Sequence, residues 1–238
     1  MMEKRFKDKI VVITGGAHGI GACMATRFAE EGATVEIIDK MPGNWYVGDV
    51  ADKDVLEAFA GYVIDKYGYV DILVNNALPL MKGLDDCSWE DFVYAQKVGV
   101  VAPFYLSKLF KHSFRPGSSI INISSSRDRM SQPQTESYTA AKGGISALTH
   151  ALAMSLAPKV RVNSISPGWI DTIGYEGTQE DRLQQPVGRI GSPDDIASLA
   201  LFLCSSDAGF ITGENIVVDG GMTHMMIYHG DNGWNYVK

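Results

Sequence analysis

Short runs of β-branched and other apolar residues alternate along this chain with longer amphipathic stretches, and this alternation limits the folds open to it. The apolar runs lie at 10–14, 34–38, 45–48, 72–75, 119–124, 161–165 and 215–218. The amphipathic stretches predict helices at about 19–31, 52–67, 89–112, 138–157 and 193–205. Uninterrupted apolar runs are typical of parallel strands that are buried on both faces. The pattern therefore predicts an α/β fold, a doubly wound parallel sheet of about seven strands with helices on both faces.

One connection in this pattern is unusually short. Asp39 ends the second predicted strand and Trp45 begins the third, so that only residues 40–44 join them. A parallel crossover normally takes a dozen or more residues, usually through a helix. Either the third strand is very short, or this edge of the sheet is open.

Length and charge narrow the class of protein. The chain has 238 residues, of which 45% are hydrophobic, and this predicts a single domain over 1–238 that carries both a cofactor site and a substrate site. Its net charge of −7, spread along the chain, argues against a nucleic-acid or anionic membrane partner. The scattered residues Cys23, Cys87 and Cys204 lack metal-site spacing. They indicate reduced thiols, no metal site and a cytoplasmic location.

A glycine-rich turn, TGGAHGIG at 14–21, follows the first predicted strand and precedes a predicted helix. Glycines at such a turn let the backbone approach a pyrophosphate, and the helix offers its free N–H groups and positive dipole end to the same anion. In this context the turn predicts a dinucleotide site. Its expected contacts are Gly15, His18, Gly19, Ile20 and Gly21.

Asp39 lies at the end of the second strand, 18 residues after Gly21. A carboxylate there accepts hydrogen bonds from ribose hydroxyls and repels a 2′-phosphate, which favours NAD over NADP. The alternative is NADPH binding, with His18 and Lys40 compensating for the missing strong cation. Further cofactor contacts are expected at the ends of the third and fourth strands, from Asp49, Val50, Asn76 and Ala77.

A second set of residues, Ser125, Tyr138 and Lys142, carries the predicted chemistry. Tyr138 and Lys142 are four residues apart on a predicted helix and therefore share a face. A nearby ammonium stabilises a phenolate and so lowers the pKa of a tyrosine towards the range of general acid–base catalysis. The Ser125 hydroxyl is suited to hydrogen-bond a substrate oxygen.

The two sets occur in one chain with further motifs between and after them. TGGAHGIG is followed by NNA at 75–77, ISS at 123–125, YTAAK at 138–142 and SPGWIDT at 166–172. In this order and spacing the chain closely resembles the short-chain dehydrogenase/reductase family, in its single-domain branch, over essentially its whole length. The resemblance implies a Rossmann-type fold and hydride transfer between NAD(H) and a secondary alcohol or ketone. It implies that Ser125 orients the carbonyl, that Tyr138 transfers the proton, and that Lys142 tunes Tyr138 and holds the nicotinamide ribose.

The resemblance implies more about the cofactor and the assembly. Pro167, Gly168 and Ile170 are expected against the nicotinamide, and Thr172 near the phosphates. The family suggests a homotetramer or dimer, with helices 89–112 and 138–157 and the strand near 215–218 at its interfaces. The polar tail at 229–238 either packs on a neighbouring subunit or stays disordered.

The chain departs from the family pattern in three places. Leu78 replaces the glycine of the usual NNAG motif. The crossover helix after Asp39 is missing. The asparagine that supports a water-linked proton relay in the family is replaced by Gly99, or by Gln96 if the count runs from Trp89. The third departure motivates an alternative function, a dinucleotide-binding sensor with weak catalysis.

The substrate pocket is expected to lie between 78–84, 127–132, Trp169 and a lid at 173–185. Arg127 and Arg129 follow Ser125 closely. One of them is suited to clamp a substrate carboxylate or phosphate. Otherwise they are exposed to solvent or pair with Asp128.

Overall fold

The computed structural model describes residues 4–235, apart from the side chain of Asn232. Its strands are β1 (Ile10–Thr14), β2 (Thr34–Asp39), β3 (Tyr46–Val47), β4 (Val70–Asn75), β5 (Phe114–Ile123), β6 (Val160–Pro167) and β7 (Asn215–Val218). Its α-helices are α1 (Gly19–Glu30), α2 (Lys53–Tyr67), α3 (Trp89–Gln96), α4 (Ala102–Phe110), α5 (Glu136–Leu156), α6 (Gln179–Leu183) and α7 (Pro193–Cys204).

The seven strands form one parallel sheet in the order β3-β2-β1-β4-β5-β6-β7. Strand order reverses between β1 and β4, because the chain first builds outward to β3 and then returns to add β4 on the other side of β1. In open α/β sheets, ligands bind at the carboxyl ends of the strands beside such a reversal. The structure confirms the predicted doubly wound fold.

Alternate residues of each strand divide the core into two layers. On one face Val12, Leu73 and Ile120 pack with the side chains of α2, α4 and α5. On the other face Val11 and Ile13 pack with α1 and α7. This is the period of two expected of strands, here with both faces buried. Both faces of the sheet are therefore covered where β1 and β4 end.

The short link after Asp39 is explained by the length of β3. Only two residues pair, Ile38 with Tyr46 and Asp39 with Val47, and the pairing is parallel. At about 3.3 Å per residue, the chain needs to retrace only one or two residues before it pairs again. The first of the two alternatives from the sequence, a very short third strand, is the correct one.

The predicted helix at 89–112 is not one regular helix. A π-helical turn at Lys97–Val101 separates α3 from α4. Pro103 at the start of α4 has no N–H to donate to the carbonyl of Gly99, so a regular α-helical ladder is interrupted there. Such π turns are frequent at functional sites.

Other boundaries also differ from the prediction, and β5 begins at Phe114, five residues before its predicted start. Helix α5 begins at Glu136, two residues before Tyr138. The lid segment at 173–185, for which no helix is predicted above, contains α6, which begins at a Thr178 capping box with Asp181. In the tail, His229 packs edge-on against Trp234. Residues 236–238 lie outside the described part of the chain.

None of the helices within 4–235 is both long and apolar enough to cross a bilayer.

Candidate functional site

Two adjoining clefts open at the carboxyl ends of the strands. The first cleft lies over β1, β2 and the turn into α1, and it is lined by ten residues predicted to bind the cofactor: Gly15, His18, Gly19, Ile20, Asp39, Asp49, Val50, Asn76, Ala77 and Thr172. The second cleft lies over β5 and β6 and has a volume of about 880 Å³. It contains Ser125, Tyr138, Gly168 and Ile170. Lys40, Leu78 and Tyr94 line both clefts and join them.

The glycine turn packs against the end of β4 more closely than a side chain would allow. Gly15 has φ +66°, and a Cβ there would lie 2.8 Å from the Cα of Ala77. A Cβ on Gly21 would lie 2.2 Å from the carbonyl oxygen of Gly15. Asn76 ties the turn to β4, since its Nδ2 donates to the carbonyl of Gly15 at 2.7 Å. Gly21 therefore shapes the turn from beneath and does not line the cleft.

The N-terminus of α1 is left open to an anion. Its N-cap residue His18 makes no side-chain capping bond, and its first turn contains no acidic residue. The helices α2 and α3 differ, because Asp52 and Ser88 cap them and acids occupy their first turns. Unpaired N–H groups and the positive dipole end favour a phosphate at this position. The residues present therefore fit the pyrophosphate of a dinucleotide.

Asp39 is fixed at the floor of the first cleft. It is 7% exposed. One carboxylate oxygen accepts from the Ala17 N–H at 3.0 Å and the other from the Met41 N–H at 2.9 Å. A carboxylate has about four lone-pair sites, so two sites remain for ribose hydroxyls.

Asp49 and Tyr94 form a contact that the sequence did not reveal. The Tyr94 hydroxyl donates to the Asp49 carboxylate at 2.8 Å, and the Ala51 N–H donates to its other oxygen. Burial and this bond raise the pKa of Tyr94 to about 12, so the phenol stays protonated and keeps donating. Tyr94 lies on α3, and a single aromatic residue on a helix gives no sequence signal for a binding role.

Ser125, Tyr138 and Lys142 meet at the floor of the second cleft. Ser125 ends the loop after β5, and its Oγ accepts from the Arg127 N–H at 3.2 Å, which leaves its hydroxyl hydrogen free to donate. Lys142 is 3% exposed and its Nζ donates to the carbonyl of Ile123 at 2.7 Å. That Nζ lies 5.4 Å from the centre of the Tyr138 ring. The structure therefore brings the three predicted residues together, with Lys142 beneath the cleft.

The protonation of this group differs from the expectation. Burial raises the pKa of Tyr138 above its ordinary value, while the Ser125 hydroxyl and the Arg127 charge oppose the rise. Burial also lowers the pKa of Lys142 to about 7. The expected lowering of the Tyr138 pKa by a Lys142 ammonium is absent, because desolvation weakens the charged form of both groups.

Gly99 and Gln96, the two candidates for the place of the family asparagine, have different surroundings. Gly99 lies in this turn and faces α5, since a Cβ there would lie 2.7 Å from the Cβ of Ala141. Gln96 instead donates from its Nε2 to the carbonyl of Ser137 at 3.0 Å, and so holds the start of α5. Of the two alternatives, Gly99 is the residue beside Lys142, and both line a small cavity.

The remaining predicted residues lie around these clefts. Pro167 is buried at the end of β6, and its neighbour Gly168 packs so tightly on Asp219 that a Cβ would lie 2.6 Å away. Of the predicted lid, Gln184 lines the second cleft. Met222, one of several methionines expected from the sequence to pack near the site, also lines this cleft. Within residues 4–235, no cluster of three or more His, Cys, Asp or Glu residues is arranged to hold a metal.

Known proteins with similar sequences and folds are oxidoreductases. A family model described as enoyl-(acyl carrier protein) reductase matches residues 15–223. An uncharacterised oxidoreductase of Thermotoga maritima is 40% identical over 93% of this chain and 98% of its own length. A cis-4-hydroxycyclohexanecarboxylate dehydrogenase of Sinomonas cyclohexanicum is 33% identical over 93% of this chain and 99% of its own length.

A solved structure shows the same likeness in three dimensions. The apo SCOR enzyme of Clostridium thermocellum is 45% identical, covers 97% of this chain and 99% of its own, and superposes with a TM-score of 0.90. The chain belongs to the short-chain dehydrogenase/reductase family of oxidoreductases.

Proposed function

We propose that this protein interconverts a secondary alcohol and its ketone with NAD(H), and that Tyr138 transfers the proton. The observation that carries the proposal is the meeting of Ser125 and Tyr138 in one cleft, with Lys142 buried beneath the ring. A bound nicotinamide would accept the hydride from the alcohol carbon in oxidation and return it in reduction. The adjoining first cleft supplies the residues that fit such a dinucleotide.

The chain's own residues handle the substrate oxygen and its proton. The Ser125 hydroxyl donates to the oxygen as negative charge develops on it, and the Arg127 N–H holds the Ser125 oxygen in place. In oxidation the Tyr138 oxygen takes the proton from the alcohol and gives up its own phenol proton towards Lys142, and in reduction both transfers run in reverse. Lys142 lies beneath the ring, where it would hold the nicotinamide ribose and pass the proton onward.

NAD is favoured over NADP by Asp39. Its buried carboxylate leaves two acceptor sites for ribose hydroxyls and would repel a 2′-phosphate of like charge. Nicotinamide contacts are assigned to Pro167, Gly168 and Ile170, and a phosphate contact to Thr172. Fluorescence titration should give a Kd for NADH at least 10-fold below that for NADPH, the cost of placing two like charges together. Tighter binding of NADPH would overturn this assignment and favour Lys40 and His18 as its partners.

A turnover assay distinguishes an enzyme from the alternative function, a dinucleotide-binding sensor with weak catalysis. A panel of secondary alcohols, sugars and hydroxy acids is followed by NADH absorbance, and Tyr138→Phe is compared on the best substrate. Removing the proton donor should lower kcat by at least 100-fold while the Kd for NADH stays within about 3-fold. A variant that retains its full rate would refute the role of Tyr138.

The proposal includes a cytoplasmic homotetramer. The three cysteines are free thiols, as expected in a reducing compartment. Exposed apolar side chains on α4 and α5, the helices expected at the interface, support an assembly of identical chains.

A further inference from the structure

The second cleft has an unusual charge for this molecule. The whole chain carries a net charge of −7. Yet the charged side chains that line this cleft, Lys40 and Arg127, are both basic, and no carboxylate among residues 4–235 lines it. A cleft with one sign of charge attracts ligands of the opposite sign.

Arg127 has a donor that nothing in the described protein uses. Its Nη2 donates to Oε1 of Gln132, but its Nη1 is buried without a partner among residues 4–235. The nearest carboxylate along the chain is engaged elsewhere. Asp128 pairs with Arg129 at 3.2 Å and accepts from Ser146 at 2.9 Å. A buried guanidinium N–H without an acceptor is costly, so an acceptor brought to this group would relieve that cost.

Arg127 lies beside the residues that are proposed to contact the reacting atoms of the substrate. Its backbone N–H contacts Ser125 Oγ, and its charge acts on the pKa of Tyr138. The guanidinium therefore lies within electrostatic range of the point where the substrate oxygen binds. The other walls include Leu78, Met130 and Trp169, which suit an apolar body.

We propose that Arg127 forms an anion subsite, and that the substrate is a secondary alcohol or ketone with an apolar body and a carboxylate. The proposal rests on the proposed function and adds the substrate class to it. Planar guanidinium groups bind carboxylates through two parallel hydrogen bonds. A phosphate ester is the other anion with this chemistry, and the experiment separates the two.

Binding tests the subsite without turnover. Calorimetric titration with cyclohexanecarboxylate, cyclohexanecarboxamide and cyclohexyl phosphate, each in the presence of NADH, compares the three head groups on one ring. The carboxylate should bind at least 10-fold more tightly than the amide, as expected for a charge-assisted hydrogen bond. Tighter binding of the phosphate would identify that anion instead and overturn the carboxylate assignment. Equal affinity for acid and amide would overturn the subsite altogether.

A matched pair of variants locates the effect. Arg127→Gln should abolish the preference for acid over amide, while Arg129→Gln, on the exposed arginine that pairs with Asp128, should leave it unchanged. In turnover of hydroxycyclohexanecarboxylates, Arg127→Gln should raise KM at least 10-fold, more than it lowers kcat. Loss of the preference in Arg129→Gln alone would refute the assignment. If Tyr138→Phe stays fully active while the binding preference persists, the proposed mechanism fails and the subsite stands.

A different observation concerns a chain of amides beneath Lys142. Thr149 Oγ1 donates to the carbonyl of Ile145 at 2.9 Å, and it accepts from Asn122 Nδ2 at 2.9 Å. The Oδ1 of Asn122 accepts in turn from Asn75 Nδ2 at 2.8 Å. These bonds fix which end of the Asn75 amide is the oxygen. That Oδ1 is buried and accepts from no group within residues 4–235.

The free Asn75 oxygen belongs to a side chain that lines the same small cavity as Lys142 and Gly99. The cavity has a volume of about 10 Å³, which is close to that accessible to one water. Lys142 uses one of its N–H groups on Ile123 and has others to donate. Glycine at 99 leaves this space open, because any larger side chain would meet Ala141.

We infer that one water binds here between Asn75 Oδ1 and Lys142 Nζ. Asn75 is then a positioning residue that takes over, from β4, the task expected of an asparagine at position 99. This inference also rests on the proposed function, because it concerns the proton route behind Tyr138. No sequence pattern predicts this role, because Asn75 and Gly99 are brought together only by the fold.

A crystal structure at better than about 1.5 Å and one pair of variants test this inference. A water should lie within hydrogen-bond distance of both Asn75 Oδ1 and Lys142 Nζ, about 2.7–3.2 Å. Asn75→Val should lower kcat about 10-fold and shift its pH profile, while KM stays within about 3-fold. Thr149→Val cuts the same amide chain but keeps the Asn75 oxygen, and should leave the pH profile unchanged. A dry cavity, or equal profiles for the two variants, would overturn the inference whether or not Tyr138 is catalytic.

Discussion

At the scale of single residues, Lys142 shows a conflict between stability and chemistry. Its amine is buried beneath Tyr138, and this burial lowers its pKa to about 7 from 10.5. Below pH 7 both the folded and the unfolded states carry the charge, so the folded state bears the full desolvation cost. Between pH 7 and 10.5 the unfolded state binds more protons, so this contribution to stability rises with pH. Above 10.5 the cost is gone.

Lys142→Met therefore should stabilise the fold and abolish turnover. The free energy of unfolding, measured with urea at pH 6, should rise by about 3 kcal/mol, somewhat less than the pKa shift implies because the bond to Ile123 is lost. The gain should shrink steadily towards pH 10. Lys108→Met, a change on the outside of α4, serves as the control and should show no such pH dependence. A gain that is constant between pH 6 and 10 would show that Lys142 titrates normally in the folded state.

At the scale of elements, one buried carboxylate joins three strands at the end of the sheet away from the clefts. Asp71 on β4 accepts from the N–H of Ile10 at the start of β1, at 2.9 Å. Arg115 near the start of β5 donates to both its oxygens, at 2.8 and 2.7 Å. Arg115 also stacks over the Tyr69 ring at 3.9 Å. Asp71 therefore fixes the alignment of β1, β4 and β5 at the end of the sheet that lies away from the clefts.

Asp71→Ala should cost about 3 kcal/mol of unfolding free energy, because it leaves the Ile10 N–H and the Arg115 fork without their acceptor. Urea denaturation measures the loss. Asp65→Ala, on α2, provides a comparison at an acidic residue outside this cluster. Since the cluster is remote from both clefts, the Kd for NADH of the folded fraction should stay within about 2-fold, as expected of distant, independent sites. A loss below about 1 kcal/mol would show that the strands are aligned by core packing alone.

Local sequence patterns predicted those strands and helices whose burial pattern is visible within their own segment. Runs such as Ile10–Thr14 are buried on both faces and therefore read directly as strands. The spacing of Tyr138 and Lys142 on α5 was sufficient to predict their shared face. What the sequence could not indicate depends on contacts between distant segments. The π turn at Lys97–Val101, the role of Tyr94 and the amide chain of Asn75 each require a partner from another element.

At the scale of the whole molecule, the apolar surface of α4 and α5 needs an explanation. Phe104 on α4 is 46% exposed and Met154 on α5 is 66% exposed. Val101, the last residue of the π turn before α4, is also exposed. A second copy of the chain is the occupant that the family resemblance implies. In a two-fold interface each copy presents the same patch to the other.

Light scattering after size-exclusion chromatography should therefore give the mass of four chains. The double variant Phe104→Glu with Met154→Glu places like charges opposite one another across the two-fold axis, and it should reduce the assembly to two chains or one. Val47→Glu makes the matched change at an exposed apolar residue on β3, an edge strand of the sheet. This variant should remain an assembly of four chains. Residues of the clefts are absent from both changes, so the Kd for NADH should be retained in each. A wild-type protein that elutes as a single chain, or a double variant that still holds four chains, would exclude the α4–α5 face as the interface.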